Sequence, residues 1–420
     1  MSEGEGSVLR PPAPTGFSPA EFLERYEQDR LGTLGSAVRR HGPVVQLAEG
    51  TVLVNDPAAA QEVLRRTNTD FLVTSTIRRD EVSGVRDDPA TQEWMRGRRA
   101  TQRGMSPDPL REHRRWLTSA ADALCRQWRT AGDIADPLLG LEPLTARSFT
   151  TYCFGSRDAG PVPARTAELL ASITPLIASP FQLPRALRRL LPRYRRSVRA
   201  QSALEDELRS ALARPGSGGL VDALTASGLG TEAVVRILVS SGLASYRVPA
   251  AAVTWCLVAL ADHPRTAEAC AHALHSAEEG SVPEYVRWTL AETLRLWPPN
   301  WLIVRTARGE QEAAGWRIPE GAAVLISPYV LHRSTATFGD DADRFRPERW
   351  QDLKPETGTY VPYGMGTRWC VGKALADVEL STLVSALAGS LRFTVTSRAP
   401  RPDVRTTLLP AGLTMSVTAR

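Results

Sequence analysis

The segment Tyr363-Gly364-Met365-Gly366-Thr367-Arg368-Trp369-Cys370-Val371-Gly372 sets one cysteine at the end of a glycine-rich loop, and the residues that follow, Val371 to Leu387, read as an apolar helix. A thiolate at such a place faces the free N–H groups of a helix start, which favour negative charge and lower a thiol's pKa. Gly364, Gly366 and Gly372 let the backbone come close to something broad and flat. Arg368, two residues ahead of the cysteine, offers a cation to an anionic substituent of that group. A haem with an axial thiolate meets each of these requirements, since the thiolate favours O–O cleavage and the macrocycle carries carboxylates. A single cysteine is more often a buried, inert residue; the glycines and the arginine around Cys370 reverse that balance.

Working outward, the chain has 420 residues, 42% of them hydrophobic and 23% charged, enough apolar surface for a large core. That composition excludes extensive disorder, and near-average Gly and Pro with scarce Cys exclude collagen-like and disulfide-scaffold classes. Of 51 basic residues only Lys354 and Lys373 are lysine, a bias of the kind a GC-rich genome produces. A formal net charge of +5 over this length is mild, so charge alone does not imply nucleic acid. The five cysteines, Cys125, Cys153, Cys256, Cys270 and Cys370, form no CxxC pair and read as free thiols. Residues 1–16 are acidic and then Pro/Gly-rich, without the apolar core of a signal peptide, and read as a flexible segment. The longest apolar run, Val248 to Ala261, is shorter than the roughly 20 residues of a spanning helix and reads as a buried core helix. These features predict a cytoplasmic protein.

Along the chain, strand-like stretches at Val44–Leu47 and Thr51–Val54 precede a helix opening after Asp56-Pro57. From Leu110 to Ala277 the pattern is mostly helical, broken at Ala159–Pro163, Pro180–Pro184 and Pro215–Gly219. Beyond Trp297-Pro298-Pro299 it turns to short β-like runs, and the tail from Leu391 alternates like strands. The predicted class is mainly α with a smaller β-rich part, residues 17–420 forming one domain.

Four further segments join the Cys370 loop: Glu292-Thr293-Leu294-Arg295, Phe345-Arg346-Pro347-Glu348-Arg349-Trp350, Trp94-Met95-Arg96-Gly97-Arg98, and Arg305 after Pro298-Pro299. Each is weak alone, and an ExxR pair usually means a helix-surface ion pair. In this order they resemble the cytochrome P-450 superfamily of haem-thiolate monooxygenases from about residue 17 to the end. The resemblance implies a triangular, mainly helical fold around haem b, with Cys370 as the iron ligand. Trp94, Arg98, Arg305 and Arg368 would then hold the propionates, and Tyr363, Gly364, Gly366 and Gly372 would shape the haem loop. It gives Glu292, Arg295 and Arg349 a structural role. Glu292 and Arg295 lie one helical turn apart, and losing one member of a buried charge network costs roughly 3–5 kcal/mol.

The sequence departs from the family at the centre of its long helix. Counted back from Asp262-His263-Pro264, an acid–alcohol pair is expected where the chain reads Ala244-Ser245-Tyr246-Arg247-Val248-Pro249. In the family that pair delivers protons during oxygen activation. Val248 has no hydrogen to donate, and Arg247 is a permanent cation with no acceptor. Pro249 leaves the Ser245 carbonyl without its helical donor, which predicts a kink and a water site shared with the Ser245 hydroxyl. Ser245, Arg247 and Val248 are therefore the candidate catalytic positions. The bland alternative has Arg247 pointing into solvent and the changes neutral.

Several functions stay open on this reading. One is dioxygen-dependent oxidation of a natural-product scaffold, by ring closure or coupling or by ordinary hydroxylation of a terpenoid or aromatic substrate. Another resembles the fatty-acid peroxygenase branch, with Arg247 binding a substrate carboxylate. A third is a degenerate, non-catalytic haem-protein module. By family position Ser241, Ala244, Asn300, Trp301, Leu302, Val304, Leu408 and Leu409 would line a largely apolar pocket, and access would run through 71–91 and 171–199. The arginines Arg185, Arg188, Arg189, Arg193, Arg195, Arg196 and Arg199 read first as a solvated face, otherwise as a surface for an anionic substrate or an acidic carrier protein bearing it. Arg96, Arg99, Arg103 and Lys373 predict a basic face for an acidic ferredoxin, itself served by a reductase.

Overall fold

The computed structural model describes residues 10–11, 19–73, 88–177, 191–278, 280–398 and 400–420. Most of 1–16, the break at Pro180–Pro184, the greater part of 71–91, and Arg185, Arg188 and Arg189 lie outside them. In chain order the described helices are α1 (Pro19–Gln28), α2 (Arg30–His41), α3 (Pro57–Arg65), α4 (Pro89–Gly104) and α5 (Pro107–Ala131). Next come α6 (Pro137–Phe154), α7 (Val162–Ile177), α8 (Pro192–Ala213), α9 (Gly219–Ala226) and α10 (Thr231–Asp262). The series ends with α11 (Pro264–His275), α12 (Glu284–Leu296), α13 (Pro328–Leu331), α14 (Thr335–Phe338) and α15 (Lys373–Ser390). This bears out a mainly α class with a smaller β-rich part. The chain packs as two compact units, each assembled from segments distant in sequence.

The first unit, residues 1–92, 295–344 and 352–370, holds most of the β structure. Strands β1 (Val44–Ala48), β2 (Thr51–Val54) and β3 (Phe71–Leu72) come from its early part. With β5 (Ile303–Ala307) and β8 (Ala323–Ile326) they form a sheet of order β1-β2-β8-β5-β3, in which only the β2–β8 pairing is parallel. Residues that alternate into one face, among them Val52, Val54, Ile303, Ala307, Val324 and Ile326, pack with Val63 and Leu64 of α3. Helix α3 starts as the Asp-Pro signal predicts: the Asp56 carboxylate accepts from Ala59 N–H at 2.8 Å, and Pro57 fills the first turn, where no N–H is needed. A small hairpin, β6 (Gln311–Ala313) with β7 (Trp316–Ile318), completes the described strands of this unit.

The second unit, residues 93–294, 345–351 and 371–420, is built around α10. Every residue from Pro249 to Leu260 is buried, so this end of α10 is apolar all round, as a central helix must be. By length and hydropathy α10 could cross a membrane, yet two-thirds of its most apolar stretch is buried inside the protein, which makes it a core helix. Helix α6 packs along it, contributing Phe149, Tyr152, Cys153 and Phe154 to a cluster with Leu204 and Leu208 of α8 and Val234, Val235 and Leu238 of α10. A Cβ at Gly97 of α4 would meet Ile237 Cδ1 at 2.5 Å, so the missing side chain seats α4 on α10. The C-terminal tail forms strands as expected. β9 (Leu391–Val395) and β4 (Asp133–Ile134) flank β12 (Met415–Ala419), while β10 (Arg401–Asp403) pairs with β11 (Leu409–Ala411).

Candidate functional site

In the first unit the Cys370 loop is tied to the turn that follows α3. Gly366 has φ +71°, and a Cβ there would lie 2.0 Å from the Leu64 carbonyl. Its lack of a side chain serves the protein's own packing, not an approach to a bound group. Gly364, at φ +67°, has only Ile303 Cδ1 near its Cβ position, at 4.0 Å, and so leaves an open place on the loop. Gly372 sits at an ordinary φ of −83° at the start of α15 and needs no left-handed freedom. The Cys370 N–H donates to the Tyr363 carbonyl at 2.8 Å, closing the loop. Cys370 is half-buried, whereas the other four cysteines are buried. Burial pushes the Cys256 thiol up to about 12 and the Cys125 thiol, helped by Asp122, up to about 11, so those two stay protonated.

Two arginines flank this loop. Arg305 lies on β5, where burial alternates so that Ile303, Arg305 and Ala307 face inward, and only 7% of it is exposed. Its Nε donates to the Thr67 hydroxyl at 2.9 Å and its Nη1 to the Val304 carbonyl at 2.9 Å. Among the described residues no carboxylate pairs with it, and desolvation pulls its guanidinium down to about 10. Arg368 reaches Asn68, whose Oδ1 accepts from Nε at 3.1 Å and Nη2 at 3.0 Å. Arg305, a buried cation that only neutral oxygens satisfy among the described residues, leaves its charge for a further anion. This fits a haem carboxylate, as the open place at Gly364 and the half-buried Cys370 fit the haem and its iron.

Arg295 secures the same unit. It is fully buried and donates to the carbonyls of His332 (2.8 Å), Ala342 (2.5 Å) and Arg344 (3.0 Å), with Phe338 beneath its guanidinium at 4.9 Å. His332 Nε2 accepts from the Val361 N–H at 2.8 Å, two residues ahead of the loop, which leaves Nδ1 to donate to the Arg295 carbonyl at 3.2 Å. His332 was not singled out in the sequence, where a lone histidine gives no signal.

In the second unit Glu292 is fully buried. Its Oε1 accepts from Arg349 Nε and the Arg346 N–H, and its Oε2 from Trp350 Nε1, all at 2.9 Å. The expected Glu292–Arg349 partnership is present, and Trp350 is a third donor that the motif did not reveal. On α4 the Arg98 guanidinium stands 4.8 Å from the centre of the Trp94 ring.

The centre of α10 differs from what its sequence suggested. The helix runs on through Pro249 to Asp262. Arg247 neither points into solvent nor stands available for a ligand: its Nε donates to Glu142 Oε1 of α6 at 2.5 Å. The neighbouring Tyr246 carbonyl accepts from Thr145 Oγ1, also on α6, at 2.5 Å. The turn disturbed by Pro249 is thus braced by protein groups. On the other side of α10 Ala244 is exposed, with Ser241, Ser245 and Val248 half-exposed, just ahead of the fully buried stretch Pro249–Leu260. Among the described residues the Ser241 and Ser245 hydroxyls make no hydrogen bond, whereas Ser240 donates back to the Ile237 carbonyl at 3.0 Å. Of the other pocket candidates, Trp301 and Leu408 are buried. The Leu408 carbonyl accepts from Trp255 Nε1 at 3.2 Å. Asn300 and Val304 are exposed, while Leu302 and Leu409 are half-buried.

Comparison with known proteins agrees with these features. The family model for cytochrome P-450 matches residues 225–416, which include Glu292, Arg349 and the Cys370 loop. Cyclooctatin synthase of Streptomyces melanosporofaciens is 36% identical over 184 residues, 40% of this chain, and the match spans only 39% of that relative's length. Pentalenene oxygenase of Streptomyces avermitilis is 24% identical over 77% of this chain and 78% of its own. Among solved structures, CYP175A1 of Thermus thermophilus superposes with a TM-score of 0.77 at 22% identity, over 97% of this chain and 100% of that one. The retinoic acid-bound cyanobacterial CYP120A1 superposes with a TM-score of 0.78 at 17% identity, over 99% of this chain and 100% of its own. Motif order and fold agree with that match: residues 225–416 carry the sequence pattern of the cytochrome P-450 family, and the chain as a whole has the fold of these solved structures.

Proposed function

We propose that the protein is a haem-thiolate monooxygenase that oxidises a terpenoid scaffold, with dioxygen as oxidant and electrons from an acidic ferredoxin. The observation that carries this reading is that the first unit holds both a half-buried cysteine and a buried arginine that no acid meets among the described residues. Cys370 would hold the iron of haem b; Arg305, Arg368, Trp94 and Arg98 would hold its carboxylates. The haem, when bound, supplies oxygen activation assisted by the thiolate. The chain's own residues bind and orient. The open stretch of α10 offers Ala244 and Val248 to an apolar scaffold, and only the Ser241 and Ser245 hydroxyls as polar anchors.

The terpenoid class is supported by the relatives named for terpenoid oxidation, cyclooctatin synthase and pentalenene oxygenase. An Arg247 already paired with Glu142 is a poor receptor for a substrate carboxylate, which speaks against the peroxygenase reading. For the partner, α4 exposes Arg96, Arg99 and Arg103, while Lys373 is occupied with Asp377 at 2.5 Å. Encounters of this kind are weak and steered by charge.

The test is spectroscopic. Reduced holoenzyme under carbon monoxide is expected to give the red-shifted Soret band of thiolate-ligated haem, and Cys370→His to abolish it. Cyclic diterpene and sesquiterpene hydrocarbons are then expected to induce the optical shift of substrate binding. Persistence of the band in Cys370→His would remove Cys370 as ligand. Shifts with aromatic amino-acid derivatives but not with terpenes would overturn the substrate class.

A further inference from the structure

The turn after α3, Arg66-Thr67-Asn68-Thr69, carries no family motif, yet three residues of the haem-loop region converge on it. Arg305 donates to the Thr67 hydroxyl, the Thr367 hydroxyl donates to the Thr67 carbonyl at 3.0 Å, and Arg368 places two N–H groups on Asn68 Oδ1. Thr67 is 1% exposed and Asn68 4%, so these bonds are shielded from water. The Thr67 hydroxyl donates its own proton to the Val63 carbonyl at 3.3 Å, which leaves its lone pairs turned to Arg305. Asn68 has φ +75°, a left-handed conformation that asparagine tolerates better than most residues, and its N–H donates to the Phe71 carbonyl at 2.9 Å.

Both acceptors are neutral, and that is the informative detail. A carboxylate in either place would hold an arginine more tightly and also cancel its charge. A hydroxyl and an amide oxygen fix the direction of each guanidinium, and at Arg305, which no carboxylate meets among the described residues, the charge is left for another anion. We propose that the Thr67–Asn68 turn is the positioning element for the haem-carboxylate arginines, Thr67 setting Arg305 and Asn68 setting Arg368. The proposal rests on the haem reading above and names residues that act through the two arginines.

Four variants separate orientation from mere stability. Asn68→Gly keeps the left-handed backbone and removes the acceptor; Asn68→Asp keeps the shape and sets a carboxylate against Arg368. Thr67→Val removes the hydroxyl at nearly constant shape, and Thr67→Ser restores it. The readouts are the rate of haem transfer from holoenzyme to excess apomyoglobin and the thermal unfolding of each haem-free variant. Asn68→Gly and Thr67→Val are expected to lose haem about tenfold faster, the worth of roughly 1.4 kcal/mol in a charged hydrogen bond. Asn68→Asp is expected to be faster still, and Thr67→Ser to stay within about twofold of the parent, with haem-free stability of the four nearly level.

Parental rates in both Thr67→Val and Asn68→Asp would overturn the proposal, and so would losses that merely track a drop in haem-free stability. If the unmutated protein takes up no haem, the haem reading fails first and the proposal falls with it. Equal transfer rates in a haem-loaded series defeat the proposal alone.

Discussion

Arg305 in the first unit and Arg247 in the second are both cations set in strongly apolar elements, and they differ in what meets them. Arg247 finds Glu142 at 2.5 Å on the adjoining helix, a pair that belongs to the protein. Arg305, on the inward face of β5, finds a hydroxyl and a carbonyl. Taking a charge out of water costs several kcal/mol unless a counter-charge is supplied. For Arg247 the fold supplies it, and the residue acts as a brace. For Arg305 the described residues supply orientation only, and on the proposed function the counter-charge is the haem carboxylate.

Substituting methionine at each position would break or sharpen this comparison, since the two changes should act in opposite ways. In haem-free protein, Arg247→Met strands the largely buried Glu142 carboxylate and is expected to cost about 2 kcal/mol, between the worth of exposed and buried pairs. Arg305→Met removes an unpaired buried cation, so haem-free stability is expected to hold within about 1 kcal/mol or to rise. Haem retention should show the reverse: nearly parental in Arg247→Met, strongly reduced in Arg305→Met. Urea titration and haem titration of both variants are the measurements. A large stability loss in Arg305→Met would mean that the fold, not a ligand, needs that charge.

Two buried acids extend the contrast. Glu292 has Arg349 beside it. Among the described residues Glu379 of α15 has only the Ser148 hydroxyl at 2.5 Å, which His113 Nε2 approaches from the other side at 2.8 Å. Burial pushes the Glu379 carboxyl up to about 8 and pulls the His113 imidazole down to about 4, so both rest neutral near pH 7. The groups around them are Cys153 and Tyr152 of α6, and Arg114 of α5, which is turned to Ser381 and Thr382.

The folded state holds the Glu379 proton more tightly than the unfolded chain does, so that contribution is lost as pH rises towards about 8. The His113 contribution is lost as pH falls through about 4. Between pH 4.5 and 6.5 the two slopes oppose one another, where the numbers are the ordinary carboxylate and imidazole values. A net loss of stability is therefore expected from about pH 6.5 to 8, and Glu379→Gln is expected to flatten it. An unchanged slope in urea titrations across that window would show that Glu379 is already ionised in the fold.

The smallest effect lies beside the brace. At Gly242 of α10 a Cβ would meet Phe149 Cε1 at 3.6 Å and Thr166 Cγ2 at 3.7 Å, ordinary contacts, next to a cavity of about 10 Å³. Gly242→Ala is expected to stabilise the protein by about 0.5–1 kcal/mol through helix propensity. An unchanged or lowered unfolding midpoint would show that α6 and α10 need the glycine.

What the sequence determined by itself was local. The loop ending at Cys370, the helix after it, the Asp56-Pro57 helix start and the order of the arginine and glutamate motifs depend on neighbours within a few residues. Backbone propensity and spacing encode those directly. Partner choice was not legible. Arg247 read as a catalytic or carboxylate-binding candidate, or as a cation pointing into solvent, because Glu142 lies 105 residues away on another helix. Thr67 and Asn68 had no visible role because their partners, Arg305 and Arg368, are 238 and 300 residues distant. Gly366 read as room for a flat ligand until the Leu64 carbonyl was found filling that room. A charge placed in a helix or strand shows the sequence which face it shares; whether that face brings it an acid, an amide oxygen or open space is fixed only when distant segments pack, because electrostatic energy falls with distance in space and not along the chain.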